Sequence, residues 1–282
     1  MIIFDYNQVA ISNLMEQIGS SKSAVDENLV RHMILNTIRT YVKKFKNTHG
    51  PEVVIACDDK NYWRREIFPY YKAGRKKARD SSGHDWAAIF DCLAKVRDEL
   101  KQNSPYKVIS VETCEADDII AVLSQKFSAT QKIMILSSDK DFAQLQKFKN
   151  VSQYSPILKK HIKEDNPYSF LKEHVIRGDK GDGVPNILST DNVFVEGGRQ
   201  KPIKTTDVNT WTNQEPNEFC TEEMHRNYIR NSMMIDLSKI PDKIVNSILH
   251  TYDSVEVKNK QHFMNYMIAN RLKNLIEVID EF

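Results

Sequence analysis

Five carboxylates flank one short helix-and-strand unit of the chain. Glu115, Asp117 and Asp118 begin a segment with helical apolar spacing, and Asp139 and Asp141 follow a short apolar run. Like charges about 4 Å apart repel by about 4 kcal/mol per pair at an effective dielectric of about 20. These groups therefore need counter-charges, which lysine side chains or metal ions can supply.

The spacing of Asp139 and Asp141 favours a site for a metal ion. In the motif SSDKDF, Asp139 and Asp141 direct two carboxylates from one loop toward one point, as an all-oxygen site for a hard cation such as Mg²⁺ requires. For Glu115, Asp117 and Asp118 a second interpretation stays open, because acids in the first turn of a helix also stabilise its dipole.

The surrounding elements predict an α/β fold. Strands predicted at 107–111 and 132–136 flank a helix predicted at 116–127, and such a βαβ crossover brings the residues after both strands to one edge of a parallel sheet. Two further strands end at Asp5 and Asp58, which adds acids to that edge. Open α/β sheets form their sites there.

The rest of the chain continues this alternation and then becomes helical. Strands are predicted at 1–6, 52–57 and 151–154, and helices at 27–48, 84–102, 222–234, 241–252 and 261–279, with another helix beginning at Pro167. The polar segment 189–217 has no period and is expected to be a loop. We therefore divide the chain into an α/β core, 1–165, and a helical C-terminal region, 166–282.

Residues 60–80 form a basic arm. They contain eight Lys and Arg residues against two acids, a net charge of +6, so the remainder carries −4 of the total +2. Tyr62, Trp63, Tyr70 and Tyr71 offer faces for base stacking, and the basic side chains can neutralise phosphates. The alternative is a solvated basic helix whose aromatic residues face the core. An acidic site beside a basic arm points to a polyanion and metals.

Two smaller features are ambiguous, and several classes of protein are disfavoured. Asp179 and Asp182 lie three residues apart in a glycine-rich turn that permits close approach of a ligand, a weak signal alone. Asp59 is interpreted as a turn former or cap.

The cysteines have no C-x-x-C spacing, which disfavours a zinc site, and no G-x-x-x-x-G-K-[ST] loop is present. Without a long apolar run or signal-like start, we expect a cytoplasmic protein and no membrane partner.

Six motifs resemble, in order and spacing, the 5′-nuclease superfamily of flap endonucleases and 5′-exonucleases. They are Asp5 after the first strand, CDD at 57–59, YYKAGR at 70–75, EADD at 115–118, SSDKDF at 137–142 and GDKGDG at 178–183. The likeness covers nearly the whole chain and is greatest to the phage ribonuclease H branch. One departure is the stretch 184–198, which lacks the Gly-Ile-Gly-like hairpin of the family. This difference concerns how the protein would bind the downstream duplex and not the metal site.

The resemblance implies a fold and a set of metal ligands. The fold is a central, mostly parallel sheet flanked by helices, a PIN-like 5′-nuclease core with a basic arch at 60–84, followed by a helix-turn-helix-like segment and a smaller helical C-terminal region. The cofactors are two Mg²⁺ ions, for which Mn²⁺ can substitute. The implied ligands are Asp5, Asp58, Glu115, Asp117 and Asp139 for the first ion, Asp141, Asp179 and Asp182 for the second, and Asp118 as a helper.

The resemblance also implies a reaction. Lys72 and Arg75 match the basic residues of the family's arch and, with Asp117 and Asp139, form the expected catalytic set. Contacts to nucleic acid are expected from Arg64, Arg65, Tyr71, Lys72, Arg75, Lys76 and Lys77. The expected activity is metal-dependent 5′–3′ exonuclease and flap endonuclease hydrolysis near 5′ ends, as in RNA primer removal during DNA replication.

The expected partners are branched or 5′-ended duplex DNA and RNA–DNA hybrid, acted on by a monomer, with a single-strand-binding protein as a candidate partner. A phage-encoded protein would act in the cytoplasm of the infected host. Two alternatives stay open. A PIN-type endoribonuclease shares the acidic sheet edge, although such domains lack the arm and the GD-x-x-D turn. The other is an inert nucleic-acid-binding module.

Overall fold

A computed structural model describes residues 1–18 and 25–282. Within these residues one sheet of six strands forms in the order β3-β2-β1-β4-β5-β6. All neighbouring strands are parallel except β6, which pairs antiparallel with β5 at the edge. The predicted α/β fold with a mostly parallel sheet is confirmed. The strands are β1 (Ile2–Asp5), β2 (Val53–Ala56), β3 (Lys107–Ile109), β4 (Ile133–Leu136), β5 (Val151–Ser155) and β6 (Lys160–Ile162).

Helices cover both faces of the sheet, because its central strands are buried on both sides and consist of apolar runs rather than alternating residues. The helices are α1 (Tyr6–Ile18), α2 (Glu27–His49), α3 (Arg64–Ile67), α4 (Gly74–Asp80), α5 (Trp86–Asn103), α6 (Ala116–Phe127), α7 (Pro167–Arg177), α8 (Thr205–Trp211), α9 (Pro216–Phe219), α10 (Glu222–Ile235), α11 (Asp242–Ser254), α12 (Lys260–Ala269) and α13 (Lys273–Ile276), with 3₁₀ helices at Lys140–Lys147 and Ile279–Glu281.

The C-terminal helices complete the core on both faces. Phe263 and Leu275 lie in the apolar cluster that contains α2 and α5, whereas Ile244 and Ile248 lie in the opposite cluster with α6. Register brings the ends of the central strands level, since Phe4 pairs with Ile55 on one side and Leu136 on the other. The residues that follow these strands therefore meet at one edge.

Several predicted elements differ from the structure. The expected loop 189–217 contains α8, which is fixed by the buried side chain of Val208. The helix predicted at 261–279 is interrupted at Arg271, whose φ of 56° and the bond from Leu272 N to Met267 O are typical of a Schellman-type helix end. Helix α1 and strand β6 were not predicted. Throughout the described ranges, each helix is too short or too polar to span a membrane.

Candidate active site

Four carboxylates surround a pocket of about 550 Å³ at the carboxyl edge of the sheet. We call Asp5, Asp58, Asp117 and Asp139 the first cluster. Three of them follow central strands, and Asp117 lies in the first turn of α6, so all four arise from the same edge. The side chains of Lys72 and Arg75 form part of the opposite wall.

The protein holds these carboxylates in place through donors from neighbouring elements. Asp5 accepts hydrogen bonds from Ser137 Oγ at 2.9 Å and from a backbone N–H of α1 at 3.2 Å. Asp58 accepts from Asn7 Nδ2 at 2.8 Å and from Ala116 N at 2.7 Å. Asp58 thereby links the end of β2 to the start of α6.

The loop after β4 fixes Asp139. Its carboxylate accepts from Asp141 N at 2.9 Å and caps the following 3₁₀ helix, while its own N–H donates to Ser137 Oγ at 3.1 Å. Gln153 Nε2 donates to the backbone oxygens of Ser137 and Asp139 at 3.0 and 2.6 Å. These bonds hold Asp139 within the first cluster, while Asp141 lies in the 3₁₀ helix that follows.

Burial and mutual repulsion raise the pKa of two carboxylates of the first cluster, Asp5 and Asp117. Burial, followed by the charge of Asp58, raises the pKa of Asp5 to about 7. Burial and then Asp139 raise the pKa of Asp117 well above its usual value. Buried carboxylates that repel each other in this way fit an all-oxygen site for a hard divalent cation, which would supply the missing positive charge.

Glu115 and Asp118 point away from the pocket toward buried cations. Glu115 contacts Arg64 Nη1 at 2.7 Å, Tyr71 OH at 3.0 Å and the ammonium group of Lys72. Asp118 is 0% exposed and contacts Trp63 Nε1 at 3.0 Å and Arg64 Nη2 at 2.8 Å. The roles predicted for Glu115 and Asp118 at a metal ion stay predictions, and in this structure both carboxylates pair with the buried Arg64 guanidinium. Successive helical residues point about 100° apart, so Asp117 faces the pocket and Asp118 the core.

Part of the basic arm is structural. Arg64 is 2% exposed and donates to Met234 O at 3.0 Å as well as pairing with the acids of α6. Tyr71 and Trp63 are equally buried, and Tyr71 OH contacts Asp182 Oδ2 at 3.1 Å. That Arg64 and Tyr71 contact nucleic acid stays a prediction, and in this structure both side chains are buried and contact the Glu115 carboxylate.

The outer residues of the arm are accessible. Arg65, Lys76 and Lys77 are exposed, and the Arg75 side chain is 46% exposed while it pairs with Asp182. Burial alone would lower the pKa of Lys72, but Glu115 and Asp182 outweigh it and raise the pKa above its usual value. Lys72 therefore keeps its charge beside the pocket.

The GD-x-x-D turn forms a second group of acids beside the first. We call Asp141, Asp179 and Asp182 the second cluster. Asp179 accepts from Lys140 Nζ at 2.8 Å and contacts His174 Nε2 at 3.0 Å. His174, on α7, was not predicted as a functional residue; its only signal is its position five residues before Asp179, and a lone histidine in a helix is usually structural.

The turn is joined to the base of the arm. Lys72 has a φ of 56°, and its N–H donates to Asp182 O at 2.7 Å. At Gly178, with a φ of 68°, a Cβ atom would lie 2.4 Å from Val184 O. This glycine therefore serves close backbone packing rather than approach of a ligand, contrary to the expectation. Asp59 accepts from Thr113 N at 2.9 Å, which supports its interpretation as a cap.

Two known families match the sequence of this chain. The family described as "5′-3′ exonuclease, N-terminal resolvase-like domain" matches residues 10–175. The chain belongs to this family of 5′–3′ exonucleases. A second family, "T4 RNase H, C terminal", matches residues 170–282 of the nuclease. The predicted superfamily and the predicted enzyme class, a metal-dependent 5′ nuclease, are confirmed.

Individual relatives agree with this assignment. The nuclease is 37% identical to the ribonuclease H of Enterobacteria phage T4 over 290 residues, which cover 99% of this chain and 95% of that protein. It is 28% identical to the flap endonuclease Xni of Shewanella denitrificans over 62% of this chain and 69% of that protein.

Solved structures share the fold at low identity. A 5′-exonuclease of phage T5 with bound zinc has a TM-score of 0.64 and 15% identity, covering 90% of this chain and 98% of that one. A flap endonuclease of phage T5, in a pseudo-enzyme-product complex with DNA and metal ions, has a TM-score of 0.63 and 16% identity, covering 90% and 99%.

Proposed function

We propose that the nuclease uses two Mg²⁺ ions, replaceable by Mn²⁺, to hydrolyse phosphodiester bonds near the 5′ ends of RNA or DNA on a duplex, including 5′ flaps and the RNA of primers. The observation that carries this proposal is the first cluster, four carboxylates around one pocket with Lys72 and Arg75 on its wall. The first cluster would hold one ion and the second cluster the other. When bound, such ions lower the pKa of an attacking water and clamp the scissile phosphate.

The side chains on the wall have separate tasks in this proposal. Lys72 is buried and charged, and its ammonium group would donate to a phosphate oxygen on which charge develops. Arg75 reaches Asp182 in this structure and is exposed enough to turn toward a phosphate. Trp86 and Phe90 line the apolar side of the pocket, where a terminal nucleoside would pack.

Cleavage of a matched set of labelled substrates tests the proposal. A 5′ flap, a nicked duplex carrying a 5′ RNA segment, and a closed single-stranded circle are incubated with Mg²⁺, Mn²⁺ or EDTA. We expect cleavage of the first two with either metal and none of the circle. Cleavage of the circle would favour the PIN-type endoribonuclease, and binding without cleavage would favour the inert module. A monomeric state, a single-strand-binding protein partner and a cytoplasmic location stay predictions.

A further inference from the structure

His174 lies between two acids of the second cluster. Its side chain is 7% exposed, with Nε2 3.0 Å from Asp179 Oδ2 and Nδ1 3.3 Å from Asp141 Oδ1. Among the residues that the structure describes, neither His174 Nδ1 nor Asp141 Oδ1 has a hydrogen-bond partner, although both atoms are buried. A buried polar side chain of this kind, directed into a group of carboxylates, offers a nitrogen ligand to a cation.

The contact at Nε2 determines what Nδ1 can do. Nε2 lies at hydrogen-bond distance from the Asp179 carboxylate, and an imidazole that donates its Nε2–H there presents a lone pair at Nδ1. That lone pair faces Asp141 Oδ1, which is also an acceptor when ionised. Histidines that bind metals commonly donate their other ring N–H to a carboxylate, and Asp179 occupies that position here.

The distance between the two orphaned atoms suits one ion. For an ion about 2.1 Å from each of two atoms that are 3.3 Å apart, the ligand–ion–ligand angle is about 100°. This value lies between the octahedral and tetrahedral angles. The candidate ligand atoms of Asp141, His174 and Asp179 all lie within 4.8 Å of one another. A single divalent ion can therefore contact His174 Nδ1 and Asp141 Oδ1 while Asp179 accepts the Nε2–H of the same ring.

We propose that His174 Nδ1 is a nitrogen ligand of the second ion and makes the second site selective for Mn²⁺, Co²⁺ or Zn²⁺ over Mg²⁺. The first cluster offers oxygen alone, which suits Mg²⁺, whereas imidazole favours the transition metals. Asp182 is held by Arg75 and Tyr71 in this structure, so the histidine adds a donor where one acid is already engaged. The inference rests on the proposed two-ion function.

The test reads nitrogen coordination directly, on the full chain. Asp117→Asn disables the first cluster, so that Mn²⁺ reports on the second. Electron spin echo envelope modulation of the bound Mn²⁺ should then show nitrogen modulation, and adding His174→Gln should remove it. The matched control is His262→Gln, which alters an exposed histidine whose Nε2 contacts Asn103 and should leave the modulation unchanged.

Isothermal titration calorimetry measures the selectivity of the second site for Mn²⁺ over Mg²⁺. We expect His174→Gln to weaken Mn²⁺ binding about tenfold or more and Mg²⁺ binding by less than about threefold. Two bound ions without nitrogen modulation, or modulation that persists in His174→Gln, would overturn the assignment while leaving the proposed function intact. No binding of Mn²⁺ or Mg²⁺ by the parent would overturn both. If His174→Gln does not fold, as judged by melting in EDTA, His174→Asn replaces it, and the spectra of the parent and Asp117→Asn still decide.

Discussion

Replacing Asp5 by Asn should stabilise the metal-free nuclease, and the gain should depend on pH. Asp5 is 6% exposed, and burial and then Asp58 raise its pKa from an ordinary 3.8 to about 7. The folded state therefore holds this proton more tightly than the unfolded chain does. Stability must then fall as pH rises between about 4 and 7, and the full loss is present above the folded-state pKa.

The size of the effect follows from the two pKa values. They differ by about three, and each pKa unit corresponds to about 1.4 kcal/mol, so the carboxylate destabilises the metal-free protein by about 4 kcal/mol at pH 8 and by less than about 2 kcal/mol at pH 5. Asn keeps an oxygen for the α1 N–H and places its NH₂ group toward Ser137 Oγ. Its advantage over Asp should therefore grow by about 2–3 kcal/mol from pH 5 to pH 8.

Urea unfolding in EDTA at pH 5 and pH 8, followed by circular dichroism, measures this difference. Asp253→Asn, at an exposed position, is the matched control and should show no comparable pH-dependent gain. Adding Mg²⁺ at pH 8 should stabilise the parent more than Asp5→Asn, since an ion that binds only the folded state adds to its stability. If Asn instead destabilised the protein equally at both pH values, Asp5 would be a paired core carboxylate and the reasoning would be refuted.

Five further substitutions test three separate parts of the site. Asp139→Asn should lower the single-turnover cleavage rate at least about a hundredfold in Mg²⁺, because it removes a carboxylate of the first cluster. On the arm, Arg75→Ala should lower the single-turnover rate at saturating enzyme, whereas Lys76→Ala should mainly weaken binding and reduce the salt slope by roughly one. Arg64→Met should lower the free energy of unfolding by about 3–5 kcal/mol by removing the guanidinium that two buried carboxylates share, whereas Arg65→Met should change it by less than about 0.5 kcal/mol.

Each of these predictions has an outcome that contradicts it. Asp253→Asn should keep the parental rate, and full activity of a folded Asp139→Asn would exclude that aspartate from the chemistry. Equal effects of the two arm substitutions on the single-turnover rate would remove the division of roles. If Arg64→Met were as stable as Arg65→Met in urea, the buried ion pairs would not depend on that guanidinium.

Strand ends were predictable, and side-chain direction within the arm was not. Asp5, Asp58 and Asp139 could be placed together because they follow apolar runs, and parallel strands bring such residues to one edge. The burial of Arg64 could not be predicted because α3 has four residues, too few for a period to show which face is buried. The sequence showed that the acids at the start of α6 need a counter-charge. It did not show that Arg64 supplies this charge, because Arg64 lies 51 positions from Glu115.

His174 could not be identified for a different reason. A single imidazole on a helix carries no spacing signal, and its environment depends on how α7 packs against the 3₁₀ helix that carries Asp141. The predicted boundary between residues 165 and 166 likewise rests on sequence pattern alone. It does not reflect packing, because the contacts that join the two parts involve residues far apart in the chain.

The placement of the C-terminal helices limits how this nuclease can be divided. The two matched families meet at residues 170–175, inside α7, yet Phe263 and Ile248 fill opposite faces of the sheet formed by the first half. The two halves thus match separate families but do not have separate cores. Neither half can be exchanged for that of a relative without repacking the apolar clusters that both halves form. The segment around α8 instead packs on a small cluster of its own, centred on Ile187 and Val208. Variation among relatives can accumulate there at little cost to the remainder of the molecule.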